Sequence, residues 1–458
     1  VRLNPTSVEG TRASSCIRAE VARGQRNRLF LFLGVILYIT LFWQHYLHWL
    51  NPTWAYYGFT YRAVPVPYLL LSFVLALLPC TWIPLALKRP SQLIYWVIYL
   101  VVYLPSMFEP FFMHLRPDHE ILLLVIQIAI GFFIMGLPYR MKIQKFPQVE
   151  LSERFFWLVF GFVTFFFNIW IASTFWGRMQ LVSAEDIYGQ RAVAKELLTA
   201  GGLVGYPLLL LSGMLNPVLM SIGCVLRRPI VFLVGAVGQI LVYSCVASKS
   251  VATSLIFIPI FYFLIKYGRK KFGLIMVWSL TVVMGVLFLL NIGKPPDPSN
   301  LGIGFQITDL IILRTIATPG QVTSQYHAFF SNHPLTYMSH VHGLNVFINY
   351  PYANSLGLEI GSYFMGYSDL NQTAHFWATD GIAGLWLPGI IIISILAALV
   401  FWLIDSLAAR RNLVFSSLTL VFSALNLSND SLFTCLLSGG LGSLMFFLYF
   451  MPLGKEKC

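Results

Sequence analysis

Four segments hold the polar groups that could do chemistry in a chain otherwise built from long apolar runs. The first reads Ser183-Ala-Glu-Asp-Ile-Tyr-Gly-Gln-Arg-Ala-Val-Ala-Lys-Glu. Ser183 with Asp186 three residues on resembles a capping box, which predicts a helix start. On that helix Tyr188, Arg191 and Lys195 fall at i, i+3 and i+7 and share one face, beside an apolar stripe of Ile187, Ala194 and Leu198. Two cations presented at a bilayer surface suit a lipid phosphate; the same pattern also describes an ordinary amphipathic surface helix. The second segment is Ser248-Lys249-Ser250, wedged between two apolar runs. A lysine this close to lipid must snorkel, pair with an acid or meet an anionic ligand.

The third segment, Asp309-Leu-Ile-Ile-Leu-Arg-Thr, reads as a short embedded helix carrying Arg314. Guanidinium stays charged and offers a planar fork for bidentate phosphate contact. Asp309, five residues back, is poorly placed to pair with it along a regular helix. The fourth runs from Gly357 to Gly389 and holds Glu359, His375 and Asp380, three candidate acid–base groups. Its alternative is a loop whose polar groups only satisfy one another. No Asp-x-Asp or paired-histidine motif accompanies these groups, so a metal is not expected. Phosphate loops and dinucleotide fingerprints are likewise missing from the sequence, and no cofactor is expected.

The elements that must position these residues follow from composition. The 458 residues are 57% hydrophobic and 10% charged, with a mean hydropathy of +0.74; soluble domains carry roughly a quarter charged residues. Apolar runs near 29–50, 67–87, 91–108, 119–138, 154–175, 202–226, 230–247, 251–266, 272–292, 386–404, 412–428 and 432–452 predict about twelve spanning helices. Basic residues cluster in alternate connections: 22 of the 30 Lys and Arg fall on one side, which the positive-inside rule makes cytoplasmic. The net charge of +12 therefore reads as an orientation signal, not a nucleic-acid surface. All nine histidines fall at or beyond the outer ends of spans, as they also would if outer loops simply held most polar residues. The six cysteines are scattered, without metal spacing or a disulfide framework.

The expected layout is all-α and polytopic. A basic cytoplasmic tail (1–28) precedes a bundle of about nine spans (29–292) with an outer loop near 176–201. A large outer loop (293–385) follows, then C-terminal spans (386–452) and a short cytoplasmic tail (453–458). Apolar patches at Phe329–Phe330 and Tyr363–Phe364–Met365 predict that the large loop folds back on the membrane or dips into it.

Ser248-Lys249-Ser250 after a span, Arg314 with Thr318-Pro319-Gly320, Tyr326 and Phe329-Phe330, and the Gly357–Gly389 run into a late span together resemble the Wzy-type polymerases of O-antigen and exopolysaccharide repeat units. The resemblance covers the many-span layout and about the last 210 residues; the Arg191 loop matches only loosely. It implies a GT-C-like, inverting glycosyltransferase of the bacterial inner membrane with its active site in the periplasm. Donor and acceptor would be oligosaccharides linked to undecaprenyl diphosphate, with the lipid bilayer and a chain-length regulator as further partners. On this resemblance Arg191, Lys195, Lys249 and Arg314 bind diphosphate, and His375, helped by Glu359, activates the acceptor. Tyr326, Tyr363, Trp377 and Asp380 then meet the sugars. An O-antigen ligase would use the same donor and similar residue types. A transporter of the same lipids would instead place charges in mid-span, where this sequence has almost none.

Overall fold

A computed structural model describes residues 6–147, 151–181, 187–200, 203–292, 302–341, 343–368 and 370–452. It is 78% helix, with no strand among the described residues. Helices satisfy every backbone group internally, which is what lipid demands of apolar runs. Among the described residues eight helices are long and apolar enough to cross a membrane: Gly24–Tyr57, Ser91–Met113, Asp118–Arg140, Glu153–Thr174, Gly205–Leu226, Pro229–Val246, Lys249–Asn291 and Trp377–Leu407. The Lys249–Asn291 run turns at Arg269–Lys271, so two expected spans share it. Shorter apolar helices, Val66–Thr81, Leu413–Leu427 and Leu441–Phe450, stand where three more were expected. A count of twelve is reached only if these short helices cross as well.

Ser91–Met113 is buried throughout and forms the centre of the bundle. Tyr95, Tyr99 and Tyr103 repeat at four-residue spacing along it and gather around Phe132, with Tyr95 stacked on that ring at 4.3 Å. A buried phenol needs an acceptor, and each finds a backbone carbonyl: Phe132, Ala76 and Leu75 at 3.0, 2.9 and 2.7 Å. Glu153–Thr174 is the opposite case, mostly unburied, with Phe155, Leu158, Phe162 and Phe165 turned outward. That surface suits hydrocarbon. Helices Asn216–Leu226 and Pro229–Val246 pack closely because Gly235 lies against Asn216, where a Cβ would come within 2.7 Å of the Asn216 carbonyl oxygen.

Hydrogen bonds join helix ends within each of the two sets separated by the charge pattern. In the basic set Arg28 donates to Cys80 and Ile83, Arg89 to Pro138 and Met141, and Leu87 to Arg269. In the other set Arg62 pairs with Asp118, Arg191 reaches Ala247 and the Thr336 amide donates to Ala383.

Three boundaries differ from expectation. The first helix begins at Thr6, so part of the expected tail is helical. The late span, expected from 386, is preceded by a wide-turned helical segment from Trp377; the backbone leaves helical geometry at Leu385–Trp386 (Trp386 φ 59°), ahead of Pro388, so two helices meet there at a kink. The segment expected as a large loop contains a helical rod, Ile303–Thr308, Asp309–Ala317 and Thr318–Phe330, whose last part is almost wholly buried and packs on Leu104–Met113. Residues 453–458 and 293–301 lie outside the described residues.

Candidate functional site

Helix Pro229–Val246 ends at Ala247, whose left-handed backbone (φ 47°) lets the chain reverse within two residues. Lys249 therefore stands in the first turn of helix Lys249–Gly268, where unpaired N–H groups concentrate positive potential. Helix Ile187–Ala200 is clamped over the same corner. Its buried Gln190 donates from Nε2 to the carbonyls of Arg178, Ser244 and Cys245 at 3.0, 2.9 and 3.1 Å. One residue on, Arg191 is exposed and reaches the Ala247 carbonyl at 3.4 Å. The capping residues Ser183 and Asp186 lie outside the described residues, as does the Lys195 side chain.

Arg314 arrives from the rod. Asp309–Ala317 is π-helical, closed by i→i+5 bonds. Side chains follow the same wide spacing: Thr315 and Thr318 donate to the carbonyls of Leu310 and Leu313, each five residues back. Asp309 and Arg314 are brought together in the same way, Nε to Oδ2 at 3.4 Å, with 21% and 30% of their side chains exposed. The expectation that five-residue spacing keeps them apart is thus corrected, because it assumed a regular helix.

Lys249, half-buried, lies within electrostatic reach of Arg314, Asp309 and Arg191. Tyr56, which is 69% exposed, flanks the Arg314–Asp309 pair, with Tyr367 beside it. Among the described residues, three cations from three distant segments thus share one corner with the Asp309 carboxylate. Sequence reasoning missed Tyr56 and Tyr367; an aromatic residue in an outer connection is too common to stand out.

The expected acid–base pair does not form. Glu359 accepts from the Asn354 amide (2.8 Å) and side chain (2.9 Å) and has no bond to His375. His375 is fully buried, its Nε2 2.7 Å from Thr323 Oγ1, which lies 3.3 Å from Ser106. This links the 371–375 segment to the rod and to the central helix. Burial pushes the His375 imidazole from 6.5 down to about 3. The unfolded chain therefore takes up the proton first as pH falls. The contribution of neutral His375 is complete above about pH 6.5 and drains away toward pH 3, with a limiting slope of about 1.4 kcal/mol per unit. Thermal unfolding of detergent-solubilised protein between about pH 7 and pH 4 should accordingly be less pH-dependent in His375→Gln than in wild type.

Three residues expected to meet sugar are interior instead. Tyr326 is 1% exposed and donates to the Gln372 carbonyl, and Trp377 is 0% exposed and donates to Ser394. Asp380 is also 0% exposed, accepting bonds from Ser431, Leu432 and His340. Tyr363 alone of the four presents a surface, 57% exposed and edge-on to Phe329 and His333. No protein-family model, curated protein or solved structure matches the chain.

Proposed function

We propose that the protein polymerises oligosaccharide repeat units carried on undecaprenyl diphosphate, moving the growing glycan from its lipid carrier onto the next lipid-linked repeat. The observation that carries this reading is the convergence of Arg191, Lys249 and Arg314 on one corner at the ends of apolar helices. A lipid diphosphate presents its charge at headgroup depth. Its departure as a leaving group is favoured by fixed cations that need not reorganise. Guanidinium and ammonium groups are the side chains suited to that task.

Under this proposal the corner faces the periplasm across a bacterial inner membrane, with both ends of the chain cytoplasmic; the charge alternation supports that orientation. On this reading the protein is an inverting GT-C-like glycosyltransferase. A chain-length regulator is a further partner under the same resemblance. Tyr363, Tyr56 and Tyr367 are exposed rings available to stack on sugar.

Incubating the purified protein with synthetic undecaprenyl-diphosphate repeat units tests the proposal. A ladder of lengthened, lipid-linked products supports it. Unconsumed donor overturns it, and transfer only to an added lipid A core acceptor assigns a ligase instead.

A further inference from the structure

We propose that Asp309 is the base that takes the proton from the acceptor hydroxyl, unmasked when the donor diphosphate draws Arg314 away from it. This rests on the polymerase reading above and replaces His375 and Glu359 as the source of the base. His375 is sealed behind Thr323, and Glu359 is tied to Asn354. Among the described residues, Asp309 is the acid that acts on Lys249 within the cation corner.

Both oxygens of its carboxylate are informative. Oδ2 faces Arg314 at 3.4 Å, while Oδ1 is buried without a hydrogen-bond partner. An ion pair of that length is a loose one. A diphosphate offers the guanidinium fork several oxygens and more charge, so it competes well for Arg314. Once Arg314 turns to the diphosphate, Oδ2 loses its partner beside the place where the anomeric carbon must lie. The bare, buried Oδ1 further disfavours the charged carboxylate and makes it a better base. Burial raises the Asp309 carboxyl above its usual range, while Arg314 and Lys249 pull the other way.

In the step itself, the acceptor O–H proton passes to Asp309 Oδ2 while its oxygen bonds to the anomeric carbon. The bond from that carbon to the diphosphate oxygen breaks, and its electron pair leaves on undecaprenyl diphosphate. The proton on Asp309 is then lost to solvent. Atoms and charge balance without a further reactant.

The test uses full-length protein, a synthetic undecaprenyl-diphosphate repeat unit and the near-isosteric Asp309→Asn. Donor binding should be as tight as in wild type or tighter, because a negative charge has left an anion site. Turnover should fall about a hundredfold or more, the range of general-base contributions. The acidic limb of the kcat/KM profile should vanish in Asp309→Asn and persist in Asp309→Glu. Unchanged turnover overturns the inference. So does joint loss of donor binding and turnover, which would make Asp309 a strut for Arg314. If wild type itself makes no ladder, it is the polymerase reading that fails.

Discussion

Arg314→Ala should abolish ladder formation, and Lys249→Ala should cut turnover by about a hundredfold or more, with both variants still membrane-inserted and monodisperse. In the proposed reaction, negative charge grows on an oxygen at the membrane surface as the glycosidic carbon leaves the diphosphate. A donor fixed toward such an oxygen is worth roughly two to three orders of magnitude in rate. Arg314 and Lys249 are partly buried, so their field is less screened than that of the exposed Arg191. Arg191→Ala should therefore cost less than either. Arg314→Lys separates charge from shape: it keeps the cation but loses the bidentate fork and the reach of Nε to Asp309. Its turnover should lie between wild type and Arg314→Ala. Rates and donor affinities measured with one synthetic lipid-linked repeat check the whole series, and a full-length ladder from Arg314→Ala would sink the assignment.

The long apolar helices were legible because apolar length is a property of the chain alone. Arg191, Lys249 and Arg314 stood out for a related reason: a cation beside a long apolar run is costly. What escaped the sequence lies in the turns. On a regular helix, residues five apart point about 140° away from each other. Only the π-helical register of Asp309–Ala317 sets Asp309 beside Arg314, and nothing in Asp-Leu-Ile-Ile-Leu-Arg announces it. His375 and Asp380 misled in a similar way. Polar residues flanked by glycines look like an exposed loop, but Asp380 lies within a wide helical turn and both residues are buried. The Gly-rich composition instead serves close packing, since a Cβ on Gly389 would strike the Gly381 carbonyl.

Asp380→Ala should destabilise the folded protein by about 1–3 kcal/mol, the usual result of leaving buried hydrogen-bond donors without their acceptor. Its Oδ1 accepts from Ser431 Oγ at 2.6 Å and His340 Nε2 at 3.1 Å, and its Oδ2 accepts from the Leu432 amide at 2.6 Å. Ser431 in turn caps helix Leu432–Leu437, accepting from the Thr434 amide. On the far side of His340, Nδ1 lies 2.8 Å from Thr336 Oγ1, whose own proton goes to the Ala383 carbonyl. A single carboxylate thus ties the late span to the 336–340 strap and to the entry of a C-terminal helix. Removing it leaves a hydroxyl, an amide and an imidazole donor without an acceptor. Asp380→Asn keeps an acceptor oxygen and should lose less. Thermal unfolding in detergent of Asp380→Ala, His340→Ala and the double variant measures the pair directly. A coupling of about 0.5–3 kcal/mol is expected for groups in direct contact. Strictly additive losses would mean that the strap is held by the Thr336–Ala383 bonds alone.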